Sequence, residues 1–148
     1  MAEFRRRSTA VWNGDLQGGK GHVGTLSGAL KNVPYTFSMR FGDEPGTNPE
    51  EMLAAALSSC YSMALSNVLS KAGHKVDSVE TEATCFFTSQ PAGGFRVTRM
   101  HLKVTGRVAG IDQSGFAATA KETEEKSCPM SVLLRNCVPI EVDATLVK

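Results

Sequence analysis

A long segment with charges only near its two ends occupies the middle of the chain: residues 48–73 read NPEEMLAAALSSCYSMALSNVLSKAG. Asn48 can cap a helix, Pro49 suits its first position, and Glu51 completes a capping box. Gly73 is a residue type that commonly ends helices. The segment therefore predicts a helix from Pro49 to about Ala72 that is roughly 36 Å long.

No charged residue occurs between positions 52 and 70, but five serines and one asparagine make this stretch a poor membrane span. A helix that is apolar or small on every side is typically buried on every side. A single chain of 148 residues can hardly cover so long a helix. Small side chains that would let a second helix approach closely are Ala54, Ala55, Ala56, Ser58 and Ser59. The sequence therefore predicts a homodimer.

The rest of the chain mixes strand and helix patterns, which is typical of an α+β fold. Ahead of the long helix, turn-forming glycines separate β-forming stretches, so we expect three antiparallel strands, the last over residues 33–41. The later elements are expected to be strands at 78–88 and 95–109, helices at 112–126 and from Pro129 to about Asn136, and a strand at 138–147. A bulge would explain why the alternation breaks at Phe95 and Val97. The predicted order is β-β-β-α-β-β-α-α-β, in one domain over residues 1–148.

Length and composition are those of one ordinary globular domain. Of the 148 residues, 41% are hydrophobic and 21% charged, and 16 basic against 15 acidic residues leave a net charge of +1. This balance argues against nucleic acid or an anionic membrane as the main partner. No apolar stretch follows the basic N-terminus, so we expect no secretory signal and a cytoplasmic protein with reduced thiols.

Two short motifs are consistent with other functions. Residues 14–20 have P-loop spacing, but Gly21 stands where Ser or Thr should bind magnesium, so a hairpin turn is expected. Cys128 and Ser131 form a C-x-x-S motif like that of thiol oxidoreductases. Monothiol exchange at Cys128 alone is therefore an alternative function.

The four cysteines include no pair with metal-ligand spacing, and the three histidines are scattered, so we expect no structural zinc. Cys128 stands at a helix N-terminus, where free amides favour a thiolate. Cys60 lies mid-helix and would need a nearby cation, for which Arg40 at the end of the third strand is a candidate. Cys85 and Cys137 are expected to be structural.

A family resemblance is carried by residues 44–66, EPGTNPEEMLAAALSSCYSMALS, together with SCPMS at 127–131. These motifs resemble the OsmC branch of the OsmC/Ohr family of thiol peroxidases. The residues around Trp12, Arg40 and Gly110 fit the same family, so the resemblance covers essentially the whole chain. It implies an OsmC-like fold, an intertwined homodimer and the reduction of organic hydroperoxides through two cysteines.

The resemblance also implies a role for individual residues. Cys60 would be the peroxidatic thiol, Cys128 the resolving thiol, and Arg40 with Glu50 the pair that activates Cys60. Tyr61 stands where the family usually has Phe. Family members use no haem, metal or flavin and are reduced by small dithiols or lipoylated proteins, so no cofactor is expected. Binding of an apolar ligand between subunits, without catalysis, is a further alternative.

The chemistry of these residue types agrees with the implied roles. A thiolate attacks the peroxide, so the pKa of Cys60 has to fall below the ordinary value of about 8.5, and a nearby guanidinium favours the charged form. Glu50 would fix the Arg40 fork through a bidentate ion pair. Loss of alcohol leaves a sulfenic acid on Cys60, Cys128 condenses with it to a disulfide, and a dithiol restores both thiols.

Ten residues of helix separate Glu50 from Cys60, which amounts to about 15 Å, so the two cannot share a site within one chain unaided. If both belong to one site, the long helices of two subunits should pack antiparallel. Glu50 of one chain would then lie near Cys60 of the other.

Mixing a Cys60→Ser chain with a Glu50→Gln chain tests this arrangement. One site of the mixed dimer would keep both an intact Glu50 and an intact Cys60, so peroxidase activity should reappear although each variant alone is inactive. Steady-state turnover of an alkyl hydroperoxide measures the recovery, with each homodimer as the control. An inactive mixture would argue for sites built within one subunit.

Overall fold

The computed structural model describes residues 3–147. Its chain divides into two units, Met1–Pro49 and Glu50–Lys148, each of which contains a three-stranded sheet and helical segments. This composition confirms the α+β class. The expectation of one domain over residues 1–148 stays a prediction.

The first unit is built on an antiparallel sheet of order β1-β2-β3. Its strands are β1 at Ser8–Asn13, β2 at Lys20–Thr25 and β3 at Val33–Thr36. Three antiparallel strands are thereby confirmed. Asp15 accepts hydrogen bonds from the amides of Gln17 and Gly18 in the turn between β1 and β2. The glycines with P-loop spacing therefore form the expected hairpin turn.

The third strand is shorter than predicted, because Phe37–Phe41 forms the helix α1. Thr36 begins this helix by accepting a hydrogen bond from a backbone amide one turn ahead. The aromatic residues at its two ends have the parity of a strand, but they also lie four apart, and their ring centroids are 4.7 Å apart. The prediction of a strand through Phe41 was therefore wrong, and Arg40 lies on a helix.

The long helix of the chain, α2, spans Pro49–Lys71 and ends one residue before the predicted position. Gly73 follows with a φ of +89°, and the amide of His74 bonds to the carbonyl of Leu69, which closes the helix. One face of α2 supplies the core of the second unit. Its completely buried residues are Leu57, Tyr61, Leu65 and Leu69.

The other side of α2 is open in the single chain. Met63 is 75% exposed, and Ala55, Ala56 and Ser59 are exposed too. Burial of the helix on every side would therefore need a second subunit, which stays a prediction. Among residues 3–147, α2 is the one helix with the length and hydropathy of a membrane span, although its buried face makes it the core helix of its unit.

The second unit has a sheet of order β4-β5-β6. Its strands are β4 at Lys75–Ser89, β5 at Phe95–Ala109 and β6 at Ile140–Val147. β4 and β5 form a long antiparallel hairpin, and β6 lies parallel to β5. Phe86 stands opposite Arg99 and Phe87 opposite Val97, so Thr98 is an extra residue. This bulge confirms the one indicated by the broken alternation.

A helical crossover connects β5 to β6. It consists of α3 at Gln113–Glu122, a π-helical turn at Thr123–Ser127 and α4 at Pro129–Leu134. The short helix after Pro129 is confirmed, whereas the prediction of an α-helix through residue 126 was wrong in its last turn. There the amide of Cys128 bonds to the carbonyl of Thr123 five residues back, and the Thr123 hydroxyl donates to the carbonyl of Thr119.

A glycine of β5 lets α3 approach the sheet. A β-carbon added at Gly106 would overlap the ring of Phe116, which is completely buried. We expect Gly106→Ala to lower the free energy of unfolding by about 1–3 kcal/mol, because the ring or the backbone must shift. Urea unfolding measures the change. Gly24→Ala is the control, since its nearest non-neighbouring atom is 3.5 Å away. Equal destabilisation by both variants would contradict the packing argument.

Candidate active site

Two cysteines that are 68 residues apart in sequence meet in the second unit. The Sγ atoms of Cys60 and Cys128 lie 3.4 Å apart, and both thiols are free. Cys128 is completely buried, whereas Cys60 is half-buried. A disulfide bond is about 2.0 Å long, so a movement of about 1.4 Å would join the two sulfurs. This pair is the centre of the candidate site.

Backbone hydrogen bonds on both sides hold Cys128. Its amide bonds to the carbonyl of Thr123 at 3.0 Å, which ends the π-helical turn. Its Sγ accepts a hydrogen bond from the amide of Ser131 at 3.5 Å, which makes it the N-cap of α4, with Pro129 at the first helical position. The predicted place of Cys128 at a helix N-terminus is therefore confirmed.

The surroundings of Cys60 favour the neutral thiol. Burial raises the pKa of Cys60, and the neighbouring Cys128 thiol, whose Sγ lies 3.4 Å away, raises that pKa further. A hydrogen bond from the backbone amide of Met130 acts in the opposite direction. Because the rise prevails, a peroxidatic role for Cys60 requires a cation or another donor close to its sulfur.

Tyr61 anchors α2 at the residue next to Cys60. Its side chain is completely buried, and its hydroxyl donates a hydrogen bond of 2.7 Å to the carbonyl of Ala120 in α3. Burial raises the pKa of Tyr61, and the charges of Glu124 and Cys128 add to the rise, so the phenol stays protonated. Tyr61 thus ties α2 to the crossover that carries Cys128.

An ion pair between a buried glutamate and an exposed arginine, which the sequence did not predict, closes the segment around Cys128. Glu124 is 4% exposed, and its Oε1 lies 3.3 Å from Arg135 Nε. Arg135 also donates a hydrogen bond from Nη1 to the carbonyl of Glu125. Glu124 continues the four-residue spacing of the buried Phe116 and Ala120, so the helical period already places it on the inward face where the π-helical turn begins. No local sequence pattern predicts the π-helical turn.

Glu50 occupies a different part of the second unit. It stands in the first turn of α2 and is 8% exposed. Burial raises the pKa of Cys85 on β4, and the charge of Glu50 raises it further. Within the chain, Glu50 and Cys60 are separated by ten helical residues, or about 15 Å.

Arg40 lies in the first unit, on α1. Its guanidinium stands 4.9 Å from the centre of the Phe41 ring. It lines a cavity of about 220 Å³ whose walls include Trp12, Tyr35 and Phe37. Half of the lining residues are aromatic, and Arg40 adds a positive charge to the lining. Among residues 3–147, no group of three or more His, Cys, Asp or Glu side chains is arranged to hold a metal ion.

Comparisons with known proteins identify the family. The family model described as OsmC-like protein matches residues 42–143. A curated relative, peroxiredoxin OsmC of Escherichia coli, is 42% identical over 132 residues, which cover 89% of this chain and 91% of that protein. This chain belongs to the OsmC-like family. The resemblance seen in the sequence is thereby confirmed, and the matched segment contains Glu50, Cys60 and Cys128.

Solved structures of OsmC and Ohr proteins share the fold. The organic hydroperoxide resistance protein OhrB of Bacillus subtilis matches with a TM-score of 0.75 at 23% identity, covering 96% of this chain and 98% of that chain. An OsmC-like protein from Mycoplasma pneumoniae matches with a TM-score of 0.76 at 15% identity, covering 99% and 100%. These likenesses confirm the OsmC-like α+β fold.

The ionisation of Glu124 should be visible in the pH dependence of stability. Because burial holds the pKa of Glu124 above its usual range despite Arg135, the folded chain binds this proton more tightly than the unfolded chain does. The wild type therefore loses stability as the pH rises above about 4, the ordinary glutamate range. The Gln side chain of Glu124→Gln cannot ionise. The free energy of unfolding of this variant, relative to that of the wild type, should therefore increase from acidic to neutral pH.

Urea unfolding at a series of pH values measures this difference. Glu122→Gln is the matched control, since Glu122 forms an exposed surface pair with Lys126 and should show little effect. Stability curves for Glu124→Gln and the wild type that stay parallel across this pH range would contradict the assignment.

Proposed function

We propose that this protein is a cysteine-based peroxidase that reduces organic hydroperoxides to alcohols, and hydrogen peroxide more weakly, in oxidative and osmotic stress defence. The observation that carries the proposal is the contact between Cys60 and Cys128. Two free thiols from distant parts of the chain lie within reach of a disulfide. The names of the relatives, a peroxiredoxin and an organic hydroperoxide resistance protein, support the same reaction.

In the first step the Cys60 thiolate attacks the outer peroxide oxygen. The O–O bond breaks, the alcohol leaves with a proton, and Cys60 is oxidised to the sulfenic acid. Cys60 suits this role because the residue is half-buried and therefore accessible to a substrate, whereas Cys128 is completely buried.

In the second step the Cys128 sulfur attacks the sulfenic sulfur of Cys60. An S–S bond forms, the S–O bond breaks, and the hydroxide leaves as water with the Cys128 proton. The resting distance of 3.4 Å makes this step intramolecular and fast relative to a second oxidation by peroxide. The disulfide therefore protects Cys60 from oxidation to the sulfinic acid.

A small dithiol or a lipoylated protein then reduces the disulfide. Because Cys128 is shielded, the incoming thiolate attacks the sulfur of Cys60, and Cys128 departs as the thiolate. The second thiol of the reductant then attacks its own sulfur in the mixed disulfide, which releases Cys60 as a thiolate and leaves the reductant as a cyclic disulfide. The same burial argues against monothiol exchange at Cys128 alone, since an outside disulfide would have to reach that sulfur. No metal, haem or flavin takes part in this cycle.

Activation of Cys60 is assigned to Arg40, held by Glu50. The groups around Cys60 in the second unit raise its pKa, so a guanidinium has to provide the opposing charge. A homodimer with antiparallel α2 helices would supply both this site and a cover for the exposed face around Met63. We place the protein in the cytoplasm, where the thiols stay reduced and dithiol reductants are available.

A single-turnover experiment tests the proposed function. Fully reduced protein receives one equivalent of tert-butyl hydroperoxide, and mass spectrometry under non-reducing conditions maps the disulfides. We expect a stoichiometric Cys60–Cys128 bridge in the wild type. Cys128→Ser should instead accumulate a sulfenic acid on Cys60 that dimedone traps, because the resolving thiol is missing.

Cys85→Ser is the matched control and should form the same bridge at the wild-type rate. Four intact thiols after minutes of exposure would refute the peroxidase and favour a non-catalytic role in binding an apolar ligand. A bridge that involves Cys85 or Cys137 would refute the assignment of the resolving thiol.

A further inference from the structure

The hydroxyl of Ser131 is buried beside the reactive pair without a hydrogen-bond partner. Ser131 is the third residue of α4 and is completely buried, and its Oγ makes no hydrogen bond to any of residues 3–147. Buried polar groups are nearly always paired, because losing hydration without compensation destabilises the fold. This hydroxyl is therefore poorly explained by its contribution to stability.

The start of α4 shows why the hydroxyl is left over. In a capping box the N-cap side chain accepts from the third amide, and the third side chain bonds back to the N-cap amide. The first half is present, since Cys128 Sγ accepts from the Ser131 amide. The second half is pre-empted, because the Cys128 amide already bonds to Thr123 in the π-helical turn.

The residue that carries the uncommitted hydroxyl contacts the Cys128 sulfur through its backbone amide. The amide nitrogen of Ser131 is 3.5 Å from Cys128 Sγ, and the hydroxyl is carried by the same residue. Rotation about the single Cα–Cβ bond therefore swings Oγ over the neighbourhood of that sulfur.

The other groups around Cys128 are already engaged. Tyr61 donates its hydroxyl proton to Ala120, and Glu124 is paired with Arg135. Cys60 is itself a reactant. Ser131 is thus the side-chain donor near Cys128 that has no other commitment within residues 3–147.

We propose that the Ser131 hydroxyl donates a hydrogen bond to Cys128 Sγ whenever that sulfur carries negative charge. The proposal rests on the proposed peroxidase cycle, in which Cys128 carries charge twice. During disulfide formation it attacks Cys60 as its proton passes to the departing hydroxide. During reduction the S–S bond breaks, Cys128 keeps the electron pair, and the Ser131 hydroxyl stabilises the thiolate until a proton from the dithiol neutralises it.

Ser131→Ala tests the proposal by separating the steps of the cycle. One equivalent of tert-butyl hydroperoxide is added to reduced protein, and quenched samples are analysed for Cys60 sulfenic acid and for the Cys60–Cys128 disulfide. Reduction of the purified disulfide form by dihydrolipoamide is timed separately. Sulfenic acid formation should be unchanged, whereas disulfide formation and its reduction should each slow by about tenfold or more, the value of a charge-assisted hydrogen bond.

The stability of Ser131→Ala distinguishes this role from a purely structural one, because loss of a structural hydrogen bond would destabilise the fold. The urea midpoint of Ser131→Ala should equal or exceed that of the wild type, because the variant removes an unpaired buried hydroxyl. Ser131→Thr keeps the hydroxyl and should keep the rates of both steps. Ser127→Ala is the matched control, since Ser127 adjoins Cys128 in sequence but is exposed.

Each outcome decides between the explanations. Wild-type rates of disulfide formation and reduction in Ser131→Ala would overturn the proposal. A loss of stability in Ser131→Ala together with equal slowing of sulfenic acid formation, disulfide formation and reduction would also overturn it. So would a Ser131→Thr variant that has wild-type stability but reacts as slowly as Ser131→Ala. Failure of the wild type itself to form the bridge would refute the peroxidase cycle instead.

Discussion

The packing of one face of α2 against the sheet is the interaction on which the second unit depends. The side chains without exposed surface are Leu57, Tyr61, Leu65 and Leu69 from α2, and Met100, Leu102 and Val104 from β5. The helix residues recur every four positions, so their burial fixes the rotation of α2 about its axis. Cys60 adjoins this face, and its half-buried position follows from that rotation. Apolar packing therefore determines where the first sulfur lies.

Polar contacts determine where the second sulfur lies. The π-helical turn ends at a hydrogen bond from the Cys128 amide to Thr123, and the Glu124–Arg135 pair connects the turn to the residue after α4. Because the Arg135 side chain is partly exposed, the pair contributes little to stability, but it restricts the geometry of the segment. The crossover thus holds a completely buried thiol close to a half-buried one, and the two need only a small movement to react.

The sequence predicts the helix and strand pattern far better than the polar details of the site. Capping residues before α2 and Gly73 after it are local signals, so both ends of that helix could be placed within a residue. Phe37 and Phe41 satisfy strand and helix spacing alike, and only the capping bond of Thr36 favours the helix. No local sequence pattern predicts the contact between Cys60 and Cys128, which are 68 positions apart. Only the family resemblance indicated it.

The parallel pairing of β6 with β5 has a consequence for how the molecule is made. Parallel neighbouring strands require a crossover connection, and Cys128 lies on the crossover between β5 and β6. The crossover ends at β6, and β6 is synthesised after Cys128. Contacts so distant in sequence form slowly, and chains fold from the N-terminal side as they emerge from the ribosome. A nascent chain therefore carries Cys60 on its helix before the second thiol can dock. The contact between the two thiols is therefore made late, after most of the chain has left the ribosome.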